Sequence, residues 1–268
     1  MRFASFSFPA EMKRAVLLSL GLLAATPALA QLVKKDYALL GAGVRTRPAY
    51  DGSSSQTTDL IPLVRYYGDP WFARTTQGIL EGGARTRAAT GLDIGGQLAY
   101  EEGRKSSESD FLSSRNFPDI DPDLSIGVHA EYERNVGRMP FDLLLRYRQS
   151  MDADRGAQAD VRMNAGVFES GSFVAVVFLQ ATWASGKSNR FYYGVSAQQS
   201  AVSGLAEFSP GGGWLSASAG LIWGADLSSS WVVLGSVTWK HLQGDASRSP
   251  IVERSSNSYA NVGLAYRF

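Results

Sequence analysis

Residues 257–268 read Asn-Ser-Tyr-Ala-Asn-Val-Gly-Leu-Ala-Tyr-Arg-Phe. Successive side chains of an extended strand point to opposite faces. Ser258, Ala260, Val262, Leu264, Tyr266 and Phe268 therefore share one face, against Tyr259, Asn261, Ala265 and Arg267 on the other. The apolar face runs to the final residue, which a soluble domain has no reason to arrange. A terminal Phe268, with Tyr266 two residues before it, is the mark that outer-membrane assembly machinery reads on the last strand of a β-barrel.

The preceding segment strengthens that reading. Trp231, Val233, Val237 and Trp239 oppose Ser236, Thr238 and Lys240. Two tryptophans eight residues apart on one face lie roughly 20 Å apart along a membrane normal, at about 3.4 Å per residue and a tilt near 40°. Transmembrane barrels carry an apolar band of about 25 Å with aromatic residues at both edges. Trp183 and Trp223 fall on corresponding apolar faces of their segments, so Trp183, Trp223, Trp231 and Trp239 are the expected aromatic girdle. The same alternation holds in 91–102, 123–133, 140–149, 160–167 and 213–225. In 172–184 it is blurred, because Val174, Val176 and Phe178 are apolar on the second face.

Long connections at 103–122, 185–212 and 243–256, rich in Ser, Gly and charge, alternate with tight ones at 136–139, 169–171 and 226–229. Long outer loops and short periplasmic turns are the barrel pattern. Eleven segments read as strands: 37–47, 58–67, 71–85, 91–102, 123–136, 140–150, 158–168, 172–184, 213–225, 230–242 and 257–268. Single-chain bacterial barrels have even strand counts. Merging two segments within 48–90, where Pro48, Pro62 and Pro70 interrupt the pattern, gives ten strands, the expectation adopted. A strand missed there or at 190–197 gives twelve.

The N-terminus reads as an export signal. Lys13 and Arg14 precede an apolar run from Ala15 to Ala25, and Ala28-Leu29-Ala30 is a small-x-small cleavage site, so the mature barrel is expected to span 31–268 beginning at Gln31. A start at Met12 would make this an ordinary signal peptide. The apolar run is too short to span a bilayer, which takes about 20 residues.

Composition removes several function classes. The chain has 26 Lys and Arg against 25 Asp and Glu, giving no basic field to attract nucleic acid. It has no cysteine and two histidines, which removes thiol chemistry and leaves little for a metal site, so no cofactor is expected. On 123–133 and 140–149 the polar faces place His129 and Glu131 opposite Arg146 and Arg148, with Arg162 following on the next segment. This is a candidate catalytic or proton-relay cluster. The simpler reading is a lattice of ion pairs filling a narrow barrel, since small barrels pack their interiors with side chains and buried charges need partners. No serine stands out as a nucleophile for a Ser-His-Asp arrangement. Asp119, Asp121 and Asp123 have calcium-like spacing but lack the glycine turn and distal glutamate of a calcium loop. Gly211-Gly212-Gly213 lacks the Lys-Ser/Thr of a phosphate loop. His241 reads as a rim residue.

A set of short segments gives the chain a family likeness. They are Gly41-Ala42-Gly43-Val44, Pro48-Ala49-Tyr50-Asp51-Gly52-Ser53, Tyr67-Gly68-Asp69, Tyr193-Gly194-Val195-Ser196, Ser203-Gly204-Leu205, Gly244-Asp245-Ala246, Ser249-Pro250-Ile251-Val252 and Gly263-Leu264-Ala265-Tyr266-Arg267-Phe268. In their order and spacing the chain resembles the MipA/OmpV family of outer-membrane proteins along nearly its whole mature length. Arg74, Glu81, Arg85 and Arg87 make residues 71–87 more charged than the family pattern. The resemblance implies a non-enzymatic adaptor in the outer membrane, linking a murein lytic transglycosylase to a penicillin-binding protein. It carries no catalytic residues. The competing reading is a narrow pore for small solutes or antibiotics.

Overall fold

The computed structural model describes residues 38–76, 79–137 and 139–268. The export signal, with Ala28, Ala30 and Gln31, lies outside the described residues.

Twelve strands, each hydrogen-bonded to the next, close into an antiparallel up-and-down barrel. They are β1 (Leu39–Pro48), β2 (Gln56–Tyr67), β3 (Trp71–Thr76), β4 (Ile79–Ala89), β5 (Leu92–Glu101), β6 (Asp123–Val136), β7 (Met139–Ser150), β8 (Ala157–Ser170), β9 (Phe173–Ala184), β10 (Gly213–Asp226), β11 (Trp231–Leu242) and β12 (Ser256–Arg267). β12 pairs with β1, from Leu39 opposite Arg267 to Thr46 opposite Ala260, which completes the ring and removes free sheet ends.

The count of ten strands is therefore corrected to twelve. The stretch 71–85, taken as one strand, is a hairpin of β3 and β4 with Arg74 opposite Glu81. Seven residues separate the two, so one continuous strand would send them to opposite faces. The hairpin puts both inside, where their charges meet. Residues 190–197, the other place for a missed strand, overlap a helix instead, α2 (Gly186–Tyr193).

Among the described residues one end of the barrel carries only short turns, at 68–70, 90–91, 171–172 and 227–230. The other carries the long loops. These hold a single helical turn α1 (Asp110–Ser113), then α2 and α3 (Ala197–Ser203). Ser185 caps α2 by accepting from the Ser188 amide, and Ser196 with Gln199 forms a reciprocal capping box on α3. Leu215, grouped with the outward face of its segment by simple alternation, turns inward because the register shifts between Trp214 and Ser216.

The outward faces are apolar. On β12, Val262, Leu264 and Tyr266 are exposed, and on β11 so are Trp231, Val237 and Trp239. Trp231 lies opposite Tyr266, Gly235 opposite Val262 and Trp239 opposite Ser258, so Val262 sits level with the midpoint between the two tryptophans. An arginine at the midplane of a barrel's apolar band costs about 2–4 kcal/mol, falling to about 0–1 near its edge. Val262→Arg is expected to destabilise the refolded barrel within the first range and Ser258→Arg within the second, as read by denaturant unfolding in phospholipid vesicles. Equal costs at the two positions would contradict this placement of the band.

Candidate functional site

The inward positions of β3 to β9 form one connected charge network. Glu81 accepts from Arg74 Nε at 2.5 Å, from Arg146 Nη1 at 2.7 Å and from Gln97 Nε2 at 2.9 Å. Arg74 reaches on to Glu131 at 3.2 Å. Arg146 Nε donates to Asp160 at 2.8 Å. Arg148 meets Asp160 at 3.5 Å and Glu101 at 2.6 Å. Thr182 also donates to Asp160, at 3.0 Å. The register explains the gathering. The register gives two inward rows, Arg74 opposite Glu81 in one and His129, Arg146, Asp160 and Thr182 in the other, and the Arg146–Glu81 pair joins them. Small inward neighbours leave room for it. At Gly95 a Cβ would stand 2.6 Å from His129 Cε1.

The five inward residues singled out by sequence are all buried, but they do not form one group. Glu131, Arg146 and Arg148 belong to the network. His129 packs edge-on against Phe72, with ring centroids 5.1 Å apart, and its Nδ1 has no hydrogen-bond partner. Arg162 stands aside. It donates to Asn164 at 3.0 Å and Gln180 at 3.3 Å and lies 3.9 Å over the Phe178 ring. Sequence reading missed Asp160, Glu101 and Gln97 as members. It registered Arg74 and Glu81 only as excess charge, because the hairpin that turns both inward was read as one strand.

Other candidates fall elsewhere. Trp183, Trp231 and Trp239 are exposed on the outer face, while Trp223 is half-buried and stacks on Phe173 with centroids 6.2 Å apart. Tyr266 contacts Phe268 edge-on at 4.9 Å. Asp119 accepts from the Ser106 amide and hydroxyl, whereas Asp123 takes the Ser150 hydroxyl, so the alternating aspartates do not converge. Among the described residues no cluster of His, Asp and Glu is placed to hold a metal. His241 Nδ1 pairs with the Ser256 hydroxyl at 2.8 Å. The Gly211 amide donates to Asp245 at 2.8 Å, tying one loop to another.

Above the network the long loops pack into a cap with its own core. Ala49, Tyr50, Leu112, Phe117, Val195 and Ile251 form one cluster, from four different loops. The Tyr50 hydroxyl donates to Ile251 O at 2.7 Å, Ser249 donates to Tyr193 O at 2.5 Å, and Asn257 bridges Gly52 and Ser53. Burial alone would raise the Asp51 carboxyl, but the Lys240 ammonium and the Tyr259 hydroxyl against it hold it below its ordinary value. Arg45 and Arg47 share Asp59 and reach Glu102 and Glu108 of the β5–β6 loop, fastening the cap to the wall.

Beneath the network lies a cavity of about 290 Å³ that extends to the turn end, where Leu39 and Tyr67 line it. The lumen is thus crossed by the network and covered by packed loops towards one end and hollow towards the other.

The family described as MltA-interacting protein MipA matches residues 40–268. The chain belongs to this family. The MltA-interacting proteins of Escherichia coli K12 and Shigella flexneri are each 25% identical to it over 266 residues, covering 96% of this chain and all of theirs. Among solved structures, the COG4313 outer membrane channel from Pseudomonas putida F1 is similar at TM-score 0.47 and 9% identity, over 87% of this chain and 96% of that one. The KdgM porin is similar at TM-score 0.39 and 7% identity, over 86% and 99%. The MipA-family barrel, closed and apolar on its outside, is an outer-membrane protein.

Removing one partner from a buried ion pair costs about 3–5 kcal/mol, because the other charge stays buried alone. Glu81, with no exposed side-chain surface and two arginines upon it, is the extreme case. Glu81→Gln is expected to lower the stability of the detergent-solubilised barrel by about that amount. The check is the midpoint of urea unfolding, followed by the shift of the folded form on unheated gels.

Proposed function

We infer that this protein is a non-enzymatic adaptor in the outer membrane that works through its periplasmic, turn-bearing end and holds a murein lytic transglycosylase there. On the family resemblance, a penicillin-binding protein is the second enzyme of the pair. The observation that carries this reading is the asymmetry of the barrel. A packed cap and a transverse ion-pair network close the loop end, so the turn end is left as the face that can work. The relatives' name, MltA-interacting protein, supports the same partner class. The chemistry inside the barrel supports a binding role, since the network carboxylates Glu81, Glu101, Glu131 and Asp160 are each engaged by an arginine.

The turns are short, and a standard specific interface buries about 1,600 Å² in total. The partner must therefore use the rim as well as the turns. Leu227, at the tip of the β10–β11 turn and 64% exposed, is the apolar anchor this requires. The test is affinity retention by the detergent-solubilised full chain, with mass spectrometry of what it holds. A lytic transglycosylase and a penicillin-binding protein are expected to be enriched over an unrelated barrel. Leu227→Glu is expected to weaken that retention about tenfold, the weight of one interface anchor. Absence of both enzymes with the barrel intact would remove the adaptor reading.

A further inference from the structure

Inside the barrel, β7, β8 and β9 set two opposite charges close together without letting them touch. Asp142 lies opposite Asn164, Asn164 opposite Phe178, and Arg162 opposite Gln180. Arg162 and Asn164 are two residues apart on β8, so they share the inward face. Asp142 and Arg162 are thus diagonal neighbours across β7 and β8, a relation that separates two residues by about 7–8 Å. Asn164 stands between them. Its oxygen accepts from Arg162 Nε at 3.0 Å and its amide nitrogen donates to Asp142 at 2.8 Å. Arg162 Nη1 donates to Gln180 at 3.3 Å, and the guanidinium lies 3.9 Å over the centre of the Phe178 ring. Both charged groups therefore rest on neutral amides. Among the described residues neither has an oppositely charged side chain within ion-pair distance.

This arrangement leaves bonding capacity unused. A guanidinium has five N–H donors and an ionised carboxylate about four acceptor positions. Arg162 uses two of its donors on Asn164 and Gln180, and Asp142 accepts once, from Asn164. Arg162 is 4% exposed, and a buried charge is costly unless it is paired. Both side chains line the cavity of about 290 Å³. Its volume is near the lower bound of about 300 Å³ for small-ligand sites. The other charges around the cavity do not favour a ligand of one sign. Glu131, Glu133 and Asp142 stand with Arg65, Arg74 and Arg162, so carboxylates and guanidiniums balance, and Glu131 is already held by Arg74 at 3.2 Å. A simple anion would meet the three acids and a simple cation the three arginines. A ligand that is itself dipolar meets an opposite charge at both ends. Val176, Phe178, Ile222 and Leu234 on β9 to β11 give the same cavity an apolar wall. β8 runs from the loop end to the turn end, so Arg162 lies deeper than Asn164 and Asp142, and the cavity extends to the turn end.

We propose that Asp142, Asn164 and Arg162 form a binding site for a small zwitterion, an α-amino acid with an apolar side chain, which enters from the turn end. Arg162 takes its carboxylate, Asp142 its ammonium and the wall from β9 to β11 its side chain. The inference depends on the barrel alone and not on the adaptor reading. The test is calorimetric titration of the full chain in lipid nanodiscs with leucine, with N-acetyl-leucine, which lacks the ammonium, and with leucinamide, which lacks the carboxylate. The parent chain is expected to bind leucine saturably and each of the other two about tenfold more weakly, the weight of one charge-assisted hydrogen bond. Arg162→Gln is expected to erase the preference for leucine over leucinamide and keep that over N-acetyl-leucine. Asp142→Asn is expected to do the reverse. Ile222→Trp narrows the apolar side without touching either charge and is expected to weaken leucine more than alanine. Each preference is read within one variant, so a general loss of stability does not imitate it, and the parent chain's own ranking decides where a variant fails to fold. Absence of saturable leucine binding to the parent chain, equal binding of the three probes, or preferences unchanged in both folded charge variants overturns the proposal.

Discussion

Glu81 has no exposed side-chain surface, and its two oxygens take hydrogen bonds from Arg74, Arg146 and Gln97. A carboxylate so far from water is tolerable only when the opposite charges are held in place around it. Those charges come from β3 and β7, strands that are not neighbours in sequence. The constraint therefore acts on the register of several hairpins at once. A slip by one residue in any of them would carry its charge to the apolar outside. The strand count itself follows from this, since the β3–β4 hairpin is what brings Arg74 and Glu81 to the same side.

The cap and the network are consistent with each other in purpose as well as position. The loops could stand open over a wide barrel, yet they carry buried apolar residues such as Leu112, Phe117 and Ile251 and are tied to the wall through Arg45, Arg47 and Asp59. The charged members of the network lie on β3 to β8, while the cavity beneath it has apolar inward residues on β9 to β11, among them Val176, Phe178, Ile222 and Leu234. That division is what leaves a cavity with one charged side and one apolar side.

Much of this could be read from sequence. The alternation in 257–268 and 231–240, with tryptophans at its ends, located strands and outward faces, because those are local properties of a pleated chain. The inward assignment of His129, Glu131, Arg146, Arg148 and Arg162 used the same rule. Which of them touch could not be read, since partners such as Asp160 and Glu81 are chosen by register around the ring, a long-range property. The β3–β4 hairpin was hidden because Arg74 and Glu81 belong to a charged stretch that read as one continuous strand. The blurred second face of 172–184 was a true signal, since Val174, Val176 and Phe178 face a lumen that is apolar on that side. The loop cores were invisible because Ser- and Gly-rich connections conceal the few apolar residues that meet there.

An adaptor with a sealed lumen and a channel make opposite demands on the same barrel. The network spans the lumen and the loops pack together above it, and the adaptor reading requires that this arrangement bar ions. The most direct measurement is the conductance of the purified full chain in a planar lipid bilayer, after its folded state has been verified. The account predicts no stable channel openings across the range of potentials that leaves the bilayer intact. Steady, reproducible unitary conductance from the folded protein would contradict it, and would mean that the cap and the network part in the membrane.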